Sequence, residues 1–255
     1  MDINAYLERI NYHGSLALTA ETLQAIQMAH LLTVPFENLS IHMDEPIVLD
    51  DDLLFGKVVT RRRGGFCYEL NGLFSALLQA LGFDVVMLAA SVARDRDEYT
   101  PDFAHMALMV KCDPVTLDER WLVDVGFGDS FRRPLLLDNP NEQEEEGASY
   151  RITPDGEAFI LSECKHGGEW EPHYRFRLTP YQYADFLEMC HFQQYSPESH
   201  FRKGRVCSLA TLDGRITLSE LKFITSLFDG RREEQLLENE AAYLHTLHEQ
   251  FGITF

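Results

Sequence analysis

The spacing of apolar residues changes at Gly82, and that change constrains the fold of this 255-residue chain more than any other feature. Before it, Leu70, Leu73, Phe74, Leu77, Leu78 and Leu81 recur at three- and four-residue intervals behind Cys67, the pattern of a helix with one buried face. Gly82 supplies its C-terminal stop. An earlier helical stretch runs through Leu23, Ile26, Gln27, Ala29, His30 and Leu31, opening near Thr19 or Thr22. Beyond Gly82 come short, β-rich apolar runs at Val85–Val92, His105–Cys112 and Trp121–Val125, the last two joined by the turn-like Asp113-Pro114. Arg151–Ile152, Phe159–Glu163 and His173–Leu178 continue the series, and together they predict a barrel or curled antiparallel sheet. The acidic stretch from Asp138 to Ser149 reads as a solvated surface loop. Tyr181–Gln194 reads as a helix. The remainder mixes strands at Arg205–Thr211, Ile216–Leu218 and Leu221–Thr225 with a terminal helix, Glu233–Gln250. The expectation is an α+β chain in three parts packed as one unit, since no repeat or flexible linker interrupts it.

Charge narrows the possible partners. Lys plus Arg number 22 and Asp plus Glu number 41, a net charge of −19. Such an excess argues against nucleic acid and against anionic membranes, both of which need a basic face. An apolar content of 45% argues against disorder. The segment Met1–Tyr12 carries Asp2, Glu8 and Arg9 and lacks a signal-peptide pattern, and no apolar run approaches the roughly 20 residues that span a bilayer. The expected location is the cytoplasm. Five scattered cysteines without a CxxC pair suggest no disulfide framework. With no HExxH either, they suggest no metal site. His30, His42 and His191 read as surface or core residues.

Among the cysteines, Cys67 stands apart. It follows Arg61-Arg62-Arg63-Gly64-Gly65-Phe66 at the start of a helix. The glycines allow a close-approach turn, the helix N-terminus presents unpaired N–H groups, and the arginines add positive charge; each favours a thiolate. Cys112 and Cys207 lie in apolar runs and read as core. Two polar residues interrupt apolar strands and need partners: His105, opening Met106-Ala107-Leu108-Met109-Val110, and Asp124, within Trp121-Leu122-Val123-Asp124-Val125-Gly126-Phe127-Gly128. A hairpin of these strands would set the carboxylate beside the imidazole, the base-and-orienter arrangement a cysteine nucleophile requires. Taken singly, His105 reads equally as a satisfied core histidine and Asp124 as a strand-end residue.

These residues carry a resemblance. Val34-Pro35-Phe36-Glu37-Asn38-Leu39, Arg62-Arg63-Gly64-Gly65-Phe66-Cys67-Tyr68-Glu69-Leu70-Asn71, His105-Met106-Ala107-Leu108 and Trp121 to Gly128 resemble, in order and spacing, four successive signatures of the arylamine N-acetyltransferases, in their bacterial wording. The likeness continues through Ser196-Pro197 to Phe201, Thr211-Leu212-Asp213-Gly214-Arg215 and Phe251-Gly252-Ile253. It implies an N-terminal helical bundle (1–83), a central antiparallel β-barrel (84–195) and a C-terminal α/β lid (196–255). It also implies a papain- or transglutaminase-like triad of Cys67, His105 and Asp124.

The implied reaction is ping-pong: acetyl-CoA, a co-substrate rather than a tightly bound cofactor, acetylates Cys67. An arylamine, arylhydroxylamine or arylhydrazine then takes the acetyl group. By the same resemblance Phe36, Val92, Phe127 and Phe201 line the acceptor pocket, and Arg63 braces the active-site turn through Glu37 and Asn71. Gly126 and Gly128, with Ser130 beyond them, leave a strand end with N–H groups to offer CoA. Arg132-Arg133 and Arg202-Lys203-Gly204-Arg205 are the candidates for its phosphates. Phe131 stands where a dinucleotide fingerprint needs glycine, which excludes a Rossmann site. The same acyl-cysteine passed to water or to an intramolecular amine would make a thioester hydrolase or amide synthase.

Overall fold

In a computed structural model of the chain, residues 1–96, 98–112 and 119–255 are described. The turn expected at Asp113-Pro114 lies outside them. The N-terminal part is helical: α1 (Ile3–Arg9), α2 (Ala20–Leu31), α3 (Leu39–His42), α4 (Asp51–Phe55) and α5 (Cys67–Leu81). Thr19 caps α2, its side chain accepting from Thr22 N–H at 3.2 Å. In α5, Leu70, Leu73, Phe74, Leu77 and Leu78 are fully buried against α1, α2 and α4. Each such side chain contributes about 1.5 to 3 kcal/mol of burial free energy. Gly82, at φ 106°, ends the helix in the left-handed conformation that glycine adopts without steric cost.

The change of period at Gly82 marks the entry into sheet. After β1 (Phe36–Glu37), the strands β2 (Asp84–Val92), β3 (His105–Lys111), β4 (Trp121–Val123), β5 (Leu135–Leu136), β6 (Gln143–Glu145), β7 (Ala148–Asp155), β8 (Ala158–Lys165) and β9 (Glu171–Phe176) follow. Strands β2 to β9 form one antiparallel sheet in the order β5-β4-β3-β2-β9-β8-β7-β6. The sheet curls until its edges nearly meet. There the Gln143 side chain stands in for a ladder, accepting from Leu136 N–H at 2.8 Å and donating to Leu136 O at 3.1 Å. Inside lie Leu88, Leu122, Leu161, Tyr174 and Phe176.

The chain then runs through a short 3₁₀ turn into α6 (Leu187–Tyr195) and on to β10 (Val206–Thr211), β11 (Gly214–Ser219), β12 (Lys222–Leu227), β13 (Arg232–Leu236) and α7 (Glu240–Phe251). These strands form a second sheet, β1-β10-β11-β12-β13, so a two-residue strand of the helical part pairs with the C-terminal one. The whole is α+β: helical bundle, nearly closed barrel and α/β layer.

Two expectations fail, for one reason. The acidic stretch is not merely a loop: β6 pairs with β7 around Gly147, and Glu145 accepts backbone N–H groups of Arg132 and Arg133. Nor does the terminal helix begin at Glu233. Arg232–Leu236 is an exposed edge strand, and the helix starts only after Asn239, whose side chain accepts from Ala242 N–H. Edge strands of charged residues bury nothing, so apolar alternation cannot reveal them. In addition, the strand expected through Val125 ends at Val123, leaving Asp124 just past it.

Candidate active site

The turn before Cys67 is shaped by close backbone approach. A Cβ on Gly64 would lie 1.9 Å from Pro35 O, so no other residue fits without displacing the Val34-Pro35-Phe36 segment. Glu37 N–H then donates to Gly65 O at 2.9 Å. Four buried charges pin this turn from below. Arg63 meets Glu37 through Nε at 3.0 Å and Nη2 at 2.8 Å, and Lys57 meets Glu69 at 2.7 Å and Glu37 at 3.8 Å. Glu69 in turn accepts from Phe66 N–H at 3.1 Å, capping the helix that carries Cys67. Burial would raise the Glu37 carboxyl, but Lys57, Arg63 and Leu39 N–H outweigh it and hold it low. For Glu69 burial prevails and its carboxyl is pushed up.

Register places the other two residues. Strands β3 and β4 pair with Leu108 opposite Val123, so Asp124 emerges diagonally beside His105 on the same face. His105 Nε2 and Asp124 Oδ2 stand 2.6 Å apart, both buried. The other carboxylate oxygen, Oδ1, accepts from Asn71 Nδ2 at 2.8 Å and Gly126 N–H at 2.9 Å. Burial pushes the Asp124 carboxyl up, yet His105 and these hydrogen bonds together hold it below the usual range. Nε2 being committed, Nδ1 is the imidazole nitrogen left for another partner.

Cys67 and His105 line one cavity of about 620 Å³ together with Phe36, Val92, Phe127 and Phe201. Every pocket residue named from sequence therefore faces the same space as the cysteine. Phe127 sets its ring edge-on to His105 at 5.2 Å. Gly126 lies where a Cβ would come 2.7 Å from Cys67 Cα and 2.8 Å from Asn71 Nδ2, which locks the end of β4 against the start of α5.

Four sequence expectations are corrected. Asn71 does not brace Arg63: its amide holds Asp124, Met106 O (2.6 Å) and Val125 N–H (2.9 Å), while Arg63 finds Glu37 and Ser40. Two of the three arginines expected to favour a thiolate are committed elsewhere: Arg63 is neutralised by Glu37 and Arg61 pairs with Glu45 at the surface, while Arg62 is exposed to solvent. Burial pushes the Cys67 thiol up, opposed by hydrogen bonds from Met106 and Tyr68 N–H and reinforced by the Asp124 charge. The phosphate candidates are mostly spent. Arg132 donates to Thr211 O and Gly214 O, Arg202 to Gln194 O, and Arg205 pairs with Glu220 and Glu240. Gly126 has also spent its N–H, on Asp124.

Sequence reasoning missed Tyr174. Its ring lies 5.1 Å from His105, and its buried hydroxyl, without a fully formed hydrogen bond, has the Asp124 carboxylate as its nearby acceptor. A tyrosine on the inward face of β9, where leucine or phenylalanine would pack as well, was the available signal.

Fold and site together define an α+β protein in which a helix-borne cysteine and a strand-borne histidine, the latter hydrogen-bonded to aspartate, share one apolar cavity. Residues 19–255 match the N-acetyltransferase family. The chain is 33% identical over 254 residues to the arylamine N-acetyltransferase of Escherichia coli strain K12, spanning 98% of this chain and 88% of that protein. It is 35% identical over 257 residues to the arylamine N-acetyltransferase of Mycolicibacterium smegmatis, spanning 99% and 92%. The solved structure of Mycobacterium marinum arylamine N-acetyltransferase in complex with CoA superposes with a TM-score of 0.90 at 33% identity, covering 99% of this chain and 93% of that one. The chain belongs to the arylamine N-acetyltransferase family.

Proposed function

We propose that the protein transfers an acetyl group from acetyl-CoA, through an acetyl-Cys67 intermediate, to the nitrogen or oxygen of an arylamine, arylhydroxylamine or arylhydrazine. The observation that carries this is the buried His105–Asp124 pair opening, with Cys67, into a cavity walled by Phe36, Val92, Phe127 and Phe201. Cys67 is the nucleophile, His105 the base and acid, and Asp124 the orienter. A free thiol of pKa about 8.5 is ~3% ionised at pH 7, and burial lowers that fraction further here. The proton must therefore pass to His105 Nδ1 as the acyl donor arrives. Asp124, held as an anion, stabilises the imidazolium that results. Even full ionisation gains at most about 2 kcal/mol over a free thiol, so most of the acceleration comes from elsewhere. Positioning contributes roughly 7 to 11 kcal/mol and oxyanion donors about 3 to 4 kcal/mol in favourable systems. The Cys67 N–H at the helix start is the first such donor.

In the second half-reaction the amine attacks the acetyl-cysteine, His105 takes its proton, and Cys67 leaves. The aromatic walls select a flat acceptor and exclude competing water. CoA extends into an adjoining polar cavity of about 550 Å³, which shares Phe36 and Val206 with the first and is lined by Gly128 and Ser130. Among the described residues the N–H groups of Gly128, Asp129 and Ser130 meet no acceptor, which suits them to CoA oxygens. Lys203, on the rim of the first cavity, is a cation suited to a phosphate. Arg63 and Glu37 act as structural support, and Asn71 positions Asp124. The five cysteines are free, in keeping with a reducing compartment such as the cytoplasm.

The test is intact mass after acetyl-CoA treatment, followed by addition of an arylamine. One acetyl adduct on Cys67, discharged by the amine, is expected. CoA release that ignores the amine would point instead to a thioester hydrolase.

A further inference from the structure

A second array of the same chemical kind borders the polar cavity. Ser130 Oγ lies 3.2 Å from His173 Nδ1, and His173 Nε2 lies 2.9 Å from Glu163 Oε2. Proton on Nε2 satisfies both contacts: the ring donates to the carboxylate and accepts from the hydroxyl. This is the sense of the first site, where Nε2 also faces the carboxylate and Nδ1 is left for the nucleophile. The parts are rigidly held. His173 stacks on Phe127 at 5.1 Å and 13°. Glu163 is 5% exposed and is fixed by Tyr150 Oη at 2.6 Å and Lys165 Nζ at 3.3 Å. Ser130 and Glu163 both line the cavity, and the N–H groups of Ser130 and Phe131, beside the hydroxyl, meet no acceptor among the described residues. Nucleophile, base, orienter, candidate oxyanion donors and a space for substrate are therefore present together.

We propose that Ser130, His173 and Glu163 form a second acyl-transfer centre, independent of Cys67, that hydrolyses small esters and thioesters lodged in this cavity. Ser130 Oγ bonds to the acyl carbon as its proton passes to His173 Nδ1. The carbonyl re-forms and the alkoxide, aryloxide or thiolate leaves; the proton on His173 departs with it or, where the leaving group is too weakly basic to take it, passes to solvent, so the imidazole is neutral again. Water then adds to the acyl-serine, giving a proton to His173; the bond to Oγ breaks, Ser130 regains the proton, and a free acid departs. Glu163 holds the ring and offsets the charge it carries between the two steps. A hydrogen bond that merely tied residues 126–131 to the barrel would give none of this chemistry.

The experiment uses full-length Cys67→Ala protein, which cannot form the acetyl-cysteine, and 4-nitrophenyl acetate as the probe. Nitrophenolate release above the buffer rate and an acetyl adduct mapping to Ser130 are expected. Adding Ser130→Ala should abolish both, and adding His173→Gln should lower release by about 100-fold. Glu163→Gln keeps a hydrogen-bonding group in place while removing the charge, and should slow release about tenfold with an unchanged circular dichroism spectrum. Release no faster than in buffer, or release undiminished by Ser130→Ala, would overturn the proposal. Arylamine acetylation by the unmodified protein is measured separately, so the loss of one centre does not decide the other.

Discussion

Asn71, one turn along the helix that begins with Cys67, donates to Asp124 Oδ1 at 2.8 Å and so ties that helix to the aspartate that orients His105. Cysteine and aspartate are thus held by one amide, and the site is rigid across the boundary between helical bundle and barrel. Replacing Asn71 by Ala would leave Met106 O and Val125 N–H without this partner as well. A loss of about 2 to 4 kcal/mol in urea unfolding is expected.

Asp124→Asn should preserve most of the packing but remove the charge that sustains the imidazolium. Stopped-flow measurement of Cys67 acetylation should show a fall of roughly 10³ to 10⁴-fold. A loss below tenfold would remove Asp124 from the mechanism.

Gly126→Ala tests positioning by steric pressure alone, since it removes no hydrogen-bonding group but crowds Asn71 Nδ2 at 2.8 Å as well as the backbone of Cys67. Its Cβ would lie 2.7 Å from Cys67 Cα, so the start of α5 must shift. A displacement of about 1 Å costs on the order of 10²-fold in rate. Gly156→Ala is the comparison: with open space around it and φ of 62°, it should cost about 1 kcal/mol of stability and leave turnover unchanged.

Acid should weaken the fold through His30. Burial and the nearby Arg9 push its imidazole down to about 3, with Tyr6 Oη its partner at 3.0 Å. Because the folded value is the lower one, the unfolded chain binds the proton first. Stability is whole above about pH 6.5 and falls by ~1.4 kcal/mol per pH unit below it, until the folded value is reached. Between pH 6.5 and 5 the decline is about 2 kcal/mol, before most carboxylates titrate. His30→Gln should flatten that part of the curve in denaturant titrations, whatever its stability at pH 7.

Arg63→Ala should be severe. Glu37 would stay fully buried with Lys57, 3.8 Å away, as its remaining cation. Breaking one side of a buried pair costs about 3 to 5 kcal/mol. Arg63→Lys should recover part of this only, since an ammonium cannot reproduce both guanidinium contacts to Glu37 together with that to Ser40. The midpoint of urea unfolding measures both.

Much of this is legible in the sequence alone. Helix α5, the strands around His105 and Asp124, and the glycine turn before Cys67 follow from local rules: apolar period reports burial of one face, and paired glycines report close backbone approach. The identity of Asn71's partner was not local. It depends on a residue 53 positions away, and an arginine and an aspartate look equally suitable from sequence. The charged edge strands β6 and β13 escaped because nothing on them is buried. By itself the sequence determined which elements form and which residue types could do the chemistry. Only the tertiary structure decided that Tyr174 lies near Asp124, that Arg61 and Arg63 are already neutralised, and that Ser130, His173 and Glu163 meet. The reason is that a buried polar group must find its partner wherever the folded chain supplies one.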